Sequence, residues 1–156
     1  MITDGTGLSS VSGNKPVCIV LDSREDENGR ALFSLSALHM CAAELRGATI
    51  HALGSSGIIV NVALDAFSFD TGILVRHFAQ HDAAAALEAA DLYLSISLSS
   101  VDPVWAEDAK RLGVPLIVAS QFPALAANPA PTLPARFAHD TRQLAGRIRQ
   151  TLDKRL

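Results

Sequence analysis

Two hydrophobic patterns alternate along this chain, and that alternation restricts its fold more than any other feature. Short runs of strand length, Val17-Cys18-Ile19-Val20-Leu21, Thr49 to Leu53, Ile73 to Phe78, Leu92 to Ile96 and Leu116-Ile117-Val118-Ala119, are separated by stretches with helical periodicity. A continuous apolar run such as Val17 to Leu21 suits a strand covered on both faces, since a half-exposed strand would alternate with polar residues. Leu32, Leu35, Leu38, Ala42 and Leu45 recur at three-to-four spacing and predict a helix over 31–45, stopped at Gly47 in the place of a left-handed C-terminal residue. Ile58 to Leu64 fits either a helix or a strand; a short helix is favoured because a crossover must precede the strand at Ile73. Alanine-rich Asp82 to Ala90 predicts a helix whose first free N–H groups Asp82 accepts. Asp102-Pro103 reads as a cap followed by proline at the first helical position, starting a helix that runs to Leu112 before Gly113. A loop bearing Pro123, Pro129, Pro131 and Pro134 then leads to a last helix over 141–152, capped by Asp140.

Five strands joined by helical crossovers imply a parallel sheet with helices on both faces, a three-layer α/β domain of Rossmann-like type. A length of 156 residues matches one such domain. Residues 1–14, rich in Gly, Ser, Thr, Asp and Asn, have the composition of a linker, and the domain is expected over 15–156. Ligands of such sheets sit outside the carboxyl ends of the strands, near the point where strand order reverses. That places the segments of interest at 22–30, 54–57, 78–82, 97–102 and 120–123.

Composition narrows the function classes. Apolar residues make up 49% and charged residues 19%, enough for an ordinary core. No apolar stretch approaches the roughly 18 residues a bilayer crossing needs, and the first thirty residues lack a secretory pattern, so a cytoplasmic location is expected. The formal net charge of −3 argues against binding nucleic acid by charge. Basic residues gather near the end, with Arg136, Arg142, Arg147, Arg149, Lys154 and Arg155 against Asp140 and Asp153. Such a helix is either a solvated face or a surface for a protein partner; a membrane surface is possible on charge but not otherwise indicated. Cys18 and Cys41 stand isolated in apolar segments and read as buried thiols.

The loop Asp22-Ser23-Arg24-Glu25-Asp26-Glu27-Asn28-Gly29-Arg30 sets two arginines beside a helix start, an arrangement that suits phosphate oxygens, although three acids share the loop. Ser97, Ser99, Ser100 and Asp102 supply hydroxyls and a carboxylate before the next helix, either for a ligand or for capping. Gly54-Ser55-Ser56-Gly57 is a turn or a place of close backbone approach. No dinucleotide or P-loop fingerprint and no nucleophile elbow occurs. His77 and His81 straddle a strand-to-helix junction and so do not make a helical metal pair, and no metal is expected. His39 and His51 read as structural, and Trp105 as an anchor for the fourth helix.

The stretch Ala89-Ala90-Asp91-Leu92-Tyr93-Leu94-Ser95-Ile96-Ser97, followed by Glu107 to Ser120 with Gly113-Val114-Pro115-Leu116-Ile117-Val118-Ala119-Ser120, resembles the C-terminal donor-binding domain of group 1 (family 4) retaining glycosyltransferases of the GT-B fold. The resemblance extends loosely over residues 15–152. It implies a nucleotide sugar as substrate rather than a cofactor. It also implies that Arg24, helped by Arg30, contacts the donor diphosphate, that Ser97 and Ser100 line the donor site, and that Asp108 holds the ribose. The sequence departs from the family pattern where the loop lysine falls on Asn28, the first glutamate on Ser100, the proline before the strand-four serine on Ile96, and the glycine-rich turn on Gln121-Phe122-Pro123. Loss of a cation and a carboxylate removes groups that stabilise a departing diphosphate, so the resemblance carries the fold further than the activity. GT-B catalysis takes place between two such domains; hexosyl transfer therefore implies an N-terminal acceptor-binding domain beside this one. Two other readings stand beside it: a non-catalytic interaction module using the basic last helix, and a nicotinamide- or flavin-type nucleotide domain. The latter follows from Ala90-Asp91-Leu92 and Ala109-Lys110-Arg111-Leu112-Gly113-Val114-Pro115, which are also similar to segments of sirtuins and of thiamine-diphosphate enzymes, though without the glycine-rich opening those use.

Overall fold

The structure, a computed structural model, describes residues 16–23, 30–54, 57–95, 105–118 and 134–153. Five strands, β1 (Cys18–Asp22), β2 (Thr49–Leu53), β3 (Leu74–Phe78), β4 (Leu92–Ser95) and β5 (Leu116–Val118), form one sheet in the order β3-β2-β1-β4-β5. All four pairings are parallel. The sheet confirms the expected Rossmann-like α/β architecture.

Side chains alternate across this sheet and sort the core into two layers. Ile19, Leu21, Ile50, Ala52, Leu92, Leu94 and Ile117 face one side, where helices α1 (Arg30–Met40), α2 (Ile58–Thr71) and α5 (Pro134–Asp153) cover them. Val20, Leu53 and Tyr93 face the other, under α3 (Ala83–Leu87) and α4 (Ala106–Arg111). Both faces of the central strands are therefore dry, which is why they read as unbroken apolar runs. Trp105 is buried at the start of α4 with its ring edge-on to Tyr93, centroids 6.5 Å apart, the anchoring expected of it.

Several elements differ from their sequence expectation. The helix foreseen over 31–45 breaks at Cys41 into a 3-10 turn, Ala42–Leu45, which tightens the chain so that Leu45 enters the core before Gly47 turns at φ 78°. α2 is not the short helix expected. It runs 14 residues to Thr71, because Val60, Leu64 and Phe67 all reach the core and its end is secured by hydrogen bonds. Thr71 Oγ1 donates to the Phe67 carbonyl at 2.7 Å, Ser68 Oγ donates to the Ile73 carbonyl at 2.8 Å, and Gly72 closes the helix at φ 73° with its N–H on the Ser68 carbonyl. Asp82 does not cap α3 with its side chain; it closes a 3-10 turn, Gln80–Asp82, that precedes the helix. α5 begins at Pro134 rather than at Thr141, so Asp140 lies inside it; a proline opens a helix readily because its φ is already helical and its missing N–H has no partner to lose. The proposed start of α4 at Pro103 lies outside the described residues.

Candidate functional site

The chain proceeds outward from β1 through β2 to β3, then returns to lay β4 on the other side of β1. Strand order thus reverses between β1 and β4, and the crevice outside their carboxyl ends is where a sheet of this kind takes ligands. The pairing Leu21 with Leu94 sets the next residues, Asp22 and Ser95, side by side at that rim. Both are 1% exposed, and Ser95 Oγ donates to Asp22 Oδ2 at 2.9 Å. A buried carboxylate needs such donors, since leaving it without them would cost several kcal/mol, on the order of the charge desolvation term.

The lacing continues along the same rim. The Ser23 N–H and Oγ both donate to the Leu53 carbonyl at 3.1 Å, and the Gly54 N–H donates to the Phe78 carbonyl at 3.0 Å. Hydrogen bonds thereby join the carboxyl ends of β4, β1, β2 and β3 in one row. The points where the chain leaves β1, at Ser23, and β4, at Ser95, are held at fixed separation. Chemically the rim is a set of backbone and hydroxyl groups over an acidic floor.

The expected site residues distribute unevenly. Arg24, Ser97 and Ser100 lie outside the described residues, and Arg30 is placed only as the first residue of α1. Asp108 lies in the first turn of α4 with its side chain about one-third exposed, and its Oδ1 accepts from Arg111 Nη2 at 2.8 Å. A crossover helix runs back against the strands, so this first turn belongs to the carboxyl side of the sheet. Asp22 and Ser95 were not singled out individually. The available signal was position: each ends an apolar run at the strand tip, and only the strand order makes them neighbours.

Asp91 has a different place. Its Oδ2 accepts from the Cys18 N–H at 2.9 Å and its own N–H donates to the Cys18 carbonyl at 2.7 Å, tying β4 to β1 at the amino end of the sheet. The Ala90-Asp91-Leu92 signature is thus a register lock between two parallel strands.

The structural reading holds for His51 and the two cysteines, whereas His39 is exposed near the end of α1 with its ring edge-on to Phe67. His51 is buried with Nδ1 2.9 Å from the Ala86 carbonyl oxygen, so an N–H occupies that nitrogen, and the ring lies against Phe78. Cys18 Sγ is 3.5 Å from the same nitrogen, and burial, reinforced by Asp91 and opposed by Arg76, pushes its thiol up to about 11. Cys41 is raised as well, chiefly by burial, and both thiols are free. Among the described residues no group of three His, Cys, Asp or Glu is arranged to hold a metal. No described helix is long and apolar enough to cross a membrane. On α5, Arg149 bonds Glu44 at 2.9 Å and the Met40 carbonyl at 3.0 Å, so one of its cations is engaged within the fold.

No protein-family model and no curated protein sequence matches the chain. Among solved structures it is similar to a chain of the GtfA/B complex, with a TM-score of 0.51 at 14% identity. The match covers 90% of this chain and 33% of that one, so this chain spans about a third of its neighbour's length. At that identity the likeness is one of fold, and it agrees with the parallel Rossmann-like sheet.

Proposed function

We propose that this chain is a nucleotide-sugar donor-binding domain of the glycosyltransferase type, not catalytic without a second domain. The observation that carries the reading is the hydrogen-bonded rim at the β1–β4 reversal point, where Asp22 and Ser95 fix the origins of the two segments that contain Arg24, Ser97 and Ser100. The fold likeness to a GtfA/B chain supports the same reading. In it, Arg24 and Arg30 take the diphosphate, Ser97 and Ser100 meet hydroxyl or phosphate oxygens, and Asp108 holds the ribose hydroxyls, which as donors suit a carboxylate.

Titration calorimetry with UDP, GDP and ADP and their hexose conjugates tests this directly. One nucleotide should bind with a dissociation constant on the order of micromolar to millimolar, and Arg24→Ala should weaken it roughly tenfold, as loss of a charged phosphate contact does. A folded protein that takes up none of these nucleotides overturns the proposal. Stabilisation by NAD or FAD instead would move it to the nicotinamide- or flavin-type reading, because a ligand that binds only the folded state raises Tm.

A further inference from the structure

Large apolar side chains turned to solvent concentrate on α2. Ile58 is 82% exposed, Phe69 90%, and Ile59 and Val62 62% each. Val60, Leu64 and Phe67 form the core side of this helix. Ile58, Val62 and Phe69 follow one another at spacings of four and seven, so they stand in line on the opposite side, over about 16 Å of helix. Exposed Leu74 is not part of this stripe, since it alternates with Val75 and so points to the other face of the sheet. Among the described residues nothing covers the stripe, and a continuous exposed apolar surface of this kind marks an interaction site.

The charges around the stripe choose among occupants. α2 contains no Lys or Arg; its charged residues are Asp65 and Asp70, both exposed. At 100° per residue they fall on opposite flanks of the Ile58–Val62–Phe69 line. Neither makes an ion pair with a described residue. An anionic lipid surface would meet two carboxylates and no cation. A second copy of α2 packed antiparallel about a two-fold axis would bring Asp65 close to its own equivalent, because the stripe is centred near residues 63 and 64. We propose that the outer face of α2 is a docking surface for an amphipathic helix of another polypeptide, apolar along one stripe and flanked by Lys or Arg. Ile58, Ile59, Val62 and Phe69 would bury the partner's apolar stripe, and Asp65 and Asp70 would select its charge and fix its position. The inference is independent of the donor-site reading.

The test uses two fluorescent synthetic helical peptides of about 18 residues, alike in a leucine stripe but flanked by Lys in one and Glu in the other. Anisotropy titration of the whole chain should show the Lys peptide binding at least roughly tenfold more tightly than its Glu twin. The Val62→Ser/Phe69→Ser double variant should lose roughly tenfold in affinity for the Lys peptide while keeping its Tm, since both side chains lie outside the core. Asp65→Lys/Asp70→Lys should reverse the charge preference. Equal affinity for the two peptides, no binding of either, or binding indifferent to the serine variant overturns the proposal. So does sedimentation showing a dimer that the serine variant dissociates, or partition onto phosphatidylserine vesicles that it abolishes.

Discussion

Ser95 and Asp22 illustrate what one residue at a strand tip can decide. Seventy-three residues apart in sequence, they meet because β4 is laid beside β1, and the hydroxyl satisfies a carboxylate that water does not reach. Ser95→Ala should lower unfolding stability by about 1.5–3 kcal/mol in urea denaturation, the range for a hydrogen bond to a charged group. It should also weaken any nucleotide bound at the rim more than Ser36→Ala does, a change at a helix hydroxyl that bonds only its own Leu32 carbonyl. Equal effects of the two would deny Ser95 a positioning role. The thiols give a second prediction. Cys18 holds its proton more tightly in the folded chain, up to about 11 against 9.0 in the ordinary thiol, and Cys41 is shifted in the same direction. Each therefore contributes stability that is complete below pH 9 and lost as pH rises through the folded value. Tm should fall between about pH 9 and 11, and Cys18→Ala should flatten that fall. A Tm insensitive to pH in this window would contradict the burial argument.

α2 shows how an element acquires its length. Read locally, Ile58 to Leu64 gives no firm end, because apolar residues lie on both sides of the helix and blur its period. What extends it is the core position of Phe67 and the closing set of Thr71, Ser68 and Gly72. Phe67→Ala should cost about 3–5 kcal/mol, the usual loss for an emptied aromatic core site, whereas Phe69→Ala should stay within about 0.5 kcal/mol. Chemical denaturation of the pair separates them, and a large loss at Phe69 would mean that the helix is rotated from its described face. Gly72→Ala should destabilise by about 1 kcal/mol, since a Cβ at φ 73° is strained even with open space around it. α5 likewise differs from its local signal: Pro134 belongs by composition to a proline-bearing loop, yet it opens the helix.

For the molecule as a whole, the order β3-β2-β1-β4-β5 sets a gradient of protection. β1 lies between two hydrogen-bonded neighbours under both helical layers, while β3 and β5 each have one strand neighbour among the described residues, and of the two β3 has no buried residue. Amide exchange should be slowest at Ile19 to Leu21 and fastest, among strands, at the β3 amides directed away from β2, as expected when the outer strand opens separately from the centre. Uniform protection across the five strands would contradict this. α5 completes the layer that also holds α1 and α2: Leu144, Ala145 and Ile148 share a cluster with Leu35, Leu38 and Cys41 of the α1 region, and Arg149 adds its bonds to Glu44 and Met40. A helix so engaged presents Arg142 and Arg147 to solvent but not a fully free basic face.

Hydrophobic periodicity carries local information, and it alone determined that Val17 to Leu21, Thr49 to Leu53 and their counterparts are strands divided by helices, hence a three-layer parallel sheet; β1 and β4 are buried throughout, whereas β3, at the end of the sheet, has no buried residue. Burial on both faces leaves an unbroken apolar run, and that trace survives in the sequence. Strand order, the meeting of Asp22 with Ser95, and the role of Asp91 as a lock on Cys18 were decided by the tertiary structure, because each depends on which strands lie side by side. The outward turn of Ile58, Val62 and Phe69 belongs with them. Sequence marks such residues as apolar, but only packing selects which apolar face of α2 the core takes and which one it leaves exposed.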